Sequence, residues 1–209
     1  MYVLFLTGGT ASGKSTAARE LERLGAVRLD MDQLSREVLA PGGPCVGSVA
    51  AAFGEDLLDP ASGSLDRRLL AQRAFESAGQ ARLLEGIELP HIKGLLLRRL
   101  RELEGRSVAV CVVEVPLLDR VEDLRGLADE LVWVRADPLL RRQRALGRGM
   151  DARDYERRLA GQPSDAYLEA HADTVIPNDG DAEELLFRLR SWWDEREGQG
   201  WQKRGGVTL

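Results

Sequence analysis

Gly8-Gly9-Thr10-Ala11-Ser12-Gly13-Lys14-Ser15 follows the apolar run Tyr2 to Leu6 and precedes a helical pattern over Thr16 to Leu24. It matches G-x-x-x-x-G-K-[ST] without a gap, in the strand–loop–helix context that the pattern requires. Glycines let a backbone curl around an anion with successive N–H groups pointing inward, and the start of a helix adds partial positive charge. Gly8, Gly9, Ala11, Ser12 and Gly13 would form such a phosphate cradle, with Thr16 on the helix behind it. Lys14 would reach the β- and γ-phosphates of a nucleotide, and the Ser15 hydroxyl would ligate Mg²⁺. Average composition produces this pattern by chance in a chain of this length on the order of 1% of the time. Lysine occurs elsewhere only at Lys93 and Lys203, so Lys14 does not reflect a lysine-rich chain.

Five short β-rich runs alternate with helical patterns: Tyr2 to Leu6, Ala26 to Asp30, Ser107 to Val115, Leu131 to Val134 and Thr174 to Ile176. The alternation predicts an α/β architecture, a parallel sheet flanked by helices. Ser107 to Val115 is nearly continuous in apolar residues, as expected of a strand covered on both faces. Residues 41–105 open on Pro41-Gly42-Gly43-Pro44 and contain no convincing strand. They read as a helical insertion, with helices around Arg67 to Phe75 and His91 to Leu103. Residues 141–162, arginine-dense and amphipathic, read as a helical flap. Asp181 to Glu197 reads as a last helix with Leu185, Leu186, Leu189 and Trp192 inward, and residues 198–209 as a mobile tail. The core then comprises residues 1–40, 106–140 and 163–197.

Acidic residues outnumber basic ones 34 to 29, which argues against a general nucleic-acid binder with its basic footprint. Cys45 and Cys111 are too few and too far apart for a disulfide framework or a zinc ribbon, and point to the reducing cytoplasm. No run approaches the roughly 18 apolar residues of a membrane span. No obligate protein partner is evident.

Asp30-Met31-Asp32 closes the second run. Residues two apart in an extended segment point the same way, so both carboxylates can face the crevice beyond the strand ends, where open α/β sheets bind ligands. A carboxylate there can take the proton of an attacking hydroxyl or hold a Mg²⁺-bound water. Asp32 can equally cap a helix through Val38. Glu114, before Pro116-Leu117-Leu118, is the nearest candidate for an acid that touches Mg²⁺ through water, or else a buried, paired glutamate. Arg141, Arg144 and Arg148 fall on one helix face, and Arg153, Arg157 and Arg158 follow. Arginines on a closing flap would stabilise the charge that phosphoryl transfer spreads over the equatorial oxygens. Arg144, in a catalytic role, and Arg148, on the nucleotide, are the preferred members. The guanine-reading Asn-Lys-x-Asp segment of a GTPase is absent, and the chain is short for a motor.

With these pieces assembled, the chain resembles the dephospho-CoA kinase family from Tyr2 to about Leu189. The resemblance is carried by Leu6 to Thr16 (LTGGTASGKST), Asp30-x-Asp32-x-x-x-Arg36, and Leu65-Asp66-Arg67-Arg68 with Leu69 to Phe75. Val115-Pro116-Leu117-Leu118, the Arg144 and Arg148 pair, Arg158-x-x-x-Gln162 and Ala172-Asp173-x-Val175-Ile176-x-Asn178-x-Gly180 complete it. It implies a P-loop NTPase-type fold: a five-stranded parallel core flanked by helices, a helical acceptor-binding insertion (41–105) and a lid (141–162). It also implies a kinase that, with Mg²⁺, passes the γ-phosphate of ATP to the ribose 3′-hydroxyl of dephospho-CoA, the last step of coenzyme A biosynthesis. In that picture Asp32 is the general base and touches the acceptor, with Arg36 on the acceptor side. Lys14 and Ser15 bind phosphates and metal, and Asn178 and Gly180 border the adenine. Three positions depart from the family. Its His-Pro reads Leu89-Pro90 with a displaced His91, its Pro-Leu-Leu-Phe-Glu ends Asp119-Arg120, and a usual basic residue between Gln162 and Ala172 falls on Leu168. The residues themselves leave two alternatives open: a related kinase of another nucleoside or small alcohol, and a non-catalytic ATP-binding protein.

Overall fold

The run YVLFLT forms β1 (Tyr2–Thr7), buried along its whole length. VCVVE forms β3 (Val110–Glu114), buried likewise, because β-branched and aromatic side chains fit a pleated surface packed on both sides. β4 (Glu130–Arg135) exposes only its last residue. The less buried β2 (Val27–Asp30) and β5 (Thr174–Pro177) take the edges. The sheet order is β2-β3-β1-β4-β5, every pairing parallel. The register sets Leu6, Glu114 and Asp30 side by side at the carboxyl end, on three adjacent strands. The five strands lie where the sequence predicts them.

This computed structural model describes residues 1–201. One compact unit, Met1–Asp30 with the chain from Glu102 onward, holds the sheet; the other is Met31–Arg101. In the first, α1 (Lys14–Arg23) sets Ala17, Ala18 and Leu21 against Leu4, Leu6, Val112, Val132 and Val134. Alanines at 17 and 18 keep the helix close to the strands. The stripe Leu185, Leu189, Trp192 and Trp193 of α9 (Ala182–Gly198) joins the same core, while Leu186, expected inward, is only half-buried. Trp201 does not belong to a loose tail. Its ring centroid lies 4.5 Å from that of Trp193 and 5.2 Å from that of Tyr2, tying the chain back onto β1. The rest of the expected tail, residues 202–209, lies outside the described residues.

The second unit is helical: α2 (Met31–Val38), α3 (Val46–Phe53), α4 (Arg67–Ala74) and most of α5 (Ala78–Gly105). An isolated bridge, Leu58 to Leu65, stands beside them. Asp66 starts α4 by accepting the N–H groups of Arg68 and Leu69 at 3.0 and 2.9 Å. On α2, Ser35 Oγ donates to the buried Glu88 carboxylate of α5 at 2.7 Å. α5 begins thirteen residues before the expected His91 and carries Pro90 inside it. A proline removes one backbone bond and crowds the turn before it, which 28 residues of helix tolerate. The arginine-dense segment folds as α6 (Pro138–Gly147) and α7 (Ala152–Ala160), followed by α8 (Asp165–His171). Side chains of Asp137, Asp151 and Ser164 cap their three starts, each satisfying amides that would otherwise lack a partner.

Candidate active site

At Thr7 the chain leaves β1 into a strained loop. Ala11 has φ 61, the left-handed region, at a cost of about 1–2 kcal/mol for a residue with a side chain. Gly13, at φ 99, is the N-cap of α1 and must be glycine on two counts. Its φ suits no other residue well, and a Cβ there would overlap Asn178 Nδ2. No side chain caps α1 among the described residues, so its leading amides serve the loop, the arrangement that binds anions. Thr16 N–H donates back to Gly13 at 2.9 Å, and Ser12 N–H to Gly9 at 3.0 Å.

Two side chains brace the loop from outside. Buried Asn178, just past β5, donates from Nδ2 to the Ser12 carbonyl at 2.7 Å. Gln162, between α7 and α8, accepts the Thr10 N–H at 2.9 Å. Gly8 is itself buried under the turn.

Glu114, 1% exposed, is the charged centre. Lys14 Nζ lies 2.9 Å from its Oε2, Ser15 Oγ 3.4 Å from the same atom, and Arg28 Nε 2.6 Å from Oε1. Burial pushes this carboxyl up, but Lys14 and Arg28 together overcome it and hold the group below the usual glutamate range. Glu114 therefore stays ionised beside the lysine and serine of the loop. Arg28 also approaches Asp30 at 3.5 Å. Sequence reasoning assigned Arg28 nothing, although its i,i+2 spacing to Asp30 on a strand signals a shared face.

The flap arginines divide. Arg148 lines a cavity of about 340 Å³ with Thr10, Ala11, Ala145, Gly149, Met150 and Asp154, directly against the loop. Arg144 instead donates to the carbonyls of Asn178 at 2.9 Å and Gly180 at 2.7 Å. It thereby fixes the segment that carries the loop's brace. Asp32 also departs from expectation. β2 ends at Asp30 and α2 begins at Met31, so Asp30 and Asp32 share no extended segment. Asp32 is not the cap but lies within the first helical turn, exposed, with Arg36 one turn on. Of the departing positions, Leu168 is buried at 1% on α8, Arg120 is paired with Asp119, and His91 is exposed on α5.

An anion cradle at the carboxyl end of a five-stranded parallel sheet, with its lysine and serine on an internal acid, defines a P-loop nucleoside-triphosphate-binding fold. The family model for dephospho-CoA kinase matches residues 2–184. A dephospho-CoA kinase of Geobacter sulfurreducens is 40% identical over 202 residues, covering 94% of this chain and 99% of its own. A Thermus thermophilus crystal structure superposes with TM-score 0.75 at 26% identity, covering 93% of this chain and 97% of that one. The dephospho-CoA kinase structure from Campylobacter jejuni does so with TM-score 0.72 at 20% identity, over 96% and 98%. This chain belongs to the dephospho-CoA kinase family.

Proposed function

We propose that this chain binds ATP on the Gly8–Ser15 loop and transfers its γ-phosphoryl group to the ribose 3′-hydroxyl of dephospho-CoA, with Asp32 as general base. Family membership carries the reaction itself, ATP-dependent phosphorylation of dephospho-CoA in coenzyme A biosynthesis. The observation that supports the residue assignments is the convergence of Lys14, Ser15 and Glu114 beside an uncapped helix start.

The loop amides and Lys14 bind and orient the triphosphate. The lysine ammonium has three hydrogens, so its contact with Glu114 leaves donors for phosphate oxygens. Ser15, and Glu114 through a water, would hold Mg²⁺, which would supply positive charge to offset that of the phosphates. Oxygen donors of this kind suit that hard cation. Arg148, beside Thr10 and Ala11, meets the charge of the transferring group. Arg144 acts on the nucleotide side by holding Asn178 and Gly180 where the adenine is to lie. Asp32, an exposed carboxylate on the opening turn of α2, takes the proton from the attacking hydroxyl, and Arg36 stands on the acceptor side. The free, buried thiols of Cys45 and Cys111 fit a protein working in the cytoplasm. Among the described residues no helix is long and apolar enough to cross a membrane.

Coupled ADP release, measured with MgATP and a panel of alcohols and nucleosides, tests the reading: turnover is expected with dephospho-CoA. Turnover confined to another acceptor would overturn the substrate. Asp32→Asn is expected to keep ATP affinity and lower kcat by about 10²-fold or more; unchanged kcat removes Asp32 from the chemistry.

A further inference from the structure

Arg141 opens the arginine face of α6, yet the functional reading above leaves it without a role. Its side chain is only 6% exposed. Nη2 donates to both oxygens of Asp165, at 3.0 and 2.8 Å. Nη1 lies so close to Gly9 that a Cβ there would overlap it. Nε is buried and finds no partner among the described residues.

A guanidinium carries five N–H donors and stays charged, so one carboxylate on Nη2 leaves it far from satisfied. Buried donors without partners in native structures call for a ligand, a water or a function. The location narrows that choice. Arg141, Ala145 and Arg148 follow one face of α6 and its end; the first lies on Gly9, and the other two line the cavity with Thr10 and Ala11. Gln162, three residues before Asp165, holds the Thr10 amide. The cation is thus pinned by α8, through Asp165, onto the second residue of an anion-binding loop. Leu168, one turn further along α8, is apolar and buried, so it delivers no charge there.

We propose that Arg141 is a terminal-phosphate ligand: its loop-facing donors meet the γ-phosphoryl oxygens of the bound nucleoside triphosphate while Asp165 keeps the guanidinium in place. A contact of this kind separates triphosphate from diphosphate and strengthens as charge spreads onto the equatorial oxygens during transfer. The inference rests on ATP binding at the Gly8–Ser15 loop.

The test is titration calorimetry of wild type, Arg141→Gln and Arg141→Lys with Mg²⁺ and either ADP or a non-hydrolysable ATP analogue. Arg141→Gln is expected to weaken the ATP analogue by at least about tenfold and ADP by less than about threefold, the scale of one charge-assisted contact. A fall in kcat should accompany it. Equal weakening of both nucleotides reduces Arg141 to a brace of the loop and overturns the proposal, as does no weakening of either. If Arg141→Gln does not fold, Arg141→Lys, which keeps charge and stem, carries the test through the same ratio of affinities. Wild type that binds neither nucleotide overturns the functional reading as well, and that control tells the two failures apart.

Discussion

Glu114 ends β3 and Glu130 opens β4, so the strands on either side of β1 each bury a carboxylate, one at the carboxyl end of its strand and one at the amino end of its own. At the amino end, Glu130 is fully buried and closed on every side. Arg196 forks onto it with two bonds of 2.9 Å, Tyr2 donates at 2.7 Å, and the Thr174 hydroxyl donates as well. Burial opposes its ionisation, but Arg196, Thr174 and Tyr2 together bring its pKa down to about 2. Its partners come from β1, β5 and α9 and meet nothing else that suggests chemistry. At the carboxyl end Glu114 is equally buried, but its partners Lys14 and Ser15 belong to the loop, and Ser15 is exposed. One carboxylate holds the fold shut; the other holds donors that a ligand can borrow.

That contrast can be broken most forcefully at Lys14. Lys14→Ala is expected to lower kcat/KM by about 10³-fold, as loss of a preorganised donor to developing charge does, and to weaken ATP binding. Chemical denaturation should show little loss of stability, since Arg28 still pairs Glu114. A large stability loss would make the two ends alike.

Glu130→Ala is the mirror experiment. Removing one partner strands the buried Arg196 charge, so unfolding free energy should fall by about 3–5 kcal/mol, with nucleotide affinity unchanged when measured below the melting range. A selective loss of affinity would contradict the division. The pH dependence sharpens the same point. A glutamate whose folded pKa lies near 2, below its unfolded value of 4.5, contributes its full stabilisation above pH 4.5 and loses it as pH falls toward 2. The shift corresponds to about 3 kcal/mol. Wild type should therefore show a steep acid limb over that interval, which Glu130→Gln flattens.

The smallest effect is expected at Trp201, which is only partly buried on Tyr2, Trp192 and Trp193. Trp201→Ala should cost about 1–2 kcal/mol of stability and leave kcat unchanged. A kinetic effect would link the two ends of the sheet.

How much of this was legible in the sequence depended on the range of the interactions. The five strands and the phosphate loop were readable because runs such as VCVVE and the glycine spacing encode local geometry. The early start of α5 was hidden behind Pro90, whose usual meaning is a boundary. Asp30-Met31-Asp32 misled for the opposite reason: two-residue periodicity holds only while the chain is extended, and it stops at Asp30. The partners of the loop were illegible because they come from far along the chain. Asn178 reaches Ser12 across 166 positions and Gln162 reaches Thr10 across 152. Arg144 and Arg141 share a helix face in sequence, yet one meets carbonyls and the other Asp165 and Gly9. Periodicity names a face but not what the face meets.

The strand order has a consequence for biogenesis. β1, the middle of the sheet, pairs with β3 and β4, whose residues begin at Val110 and Glu130. Translation at roughly 5–20 residues per second leaves that apolar segment unmatched for several seconds, while all of Met31–Arg101 is made. The segment that ends in the phosphate loop is thus made well before the two strands that flank it, and its pairing waits on the whole of the helical unit.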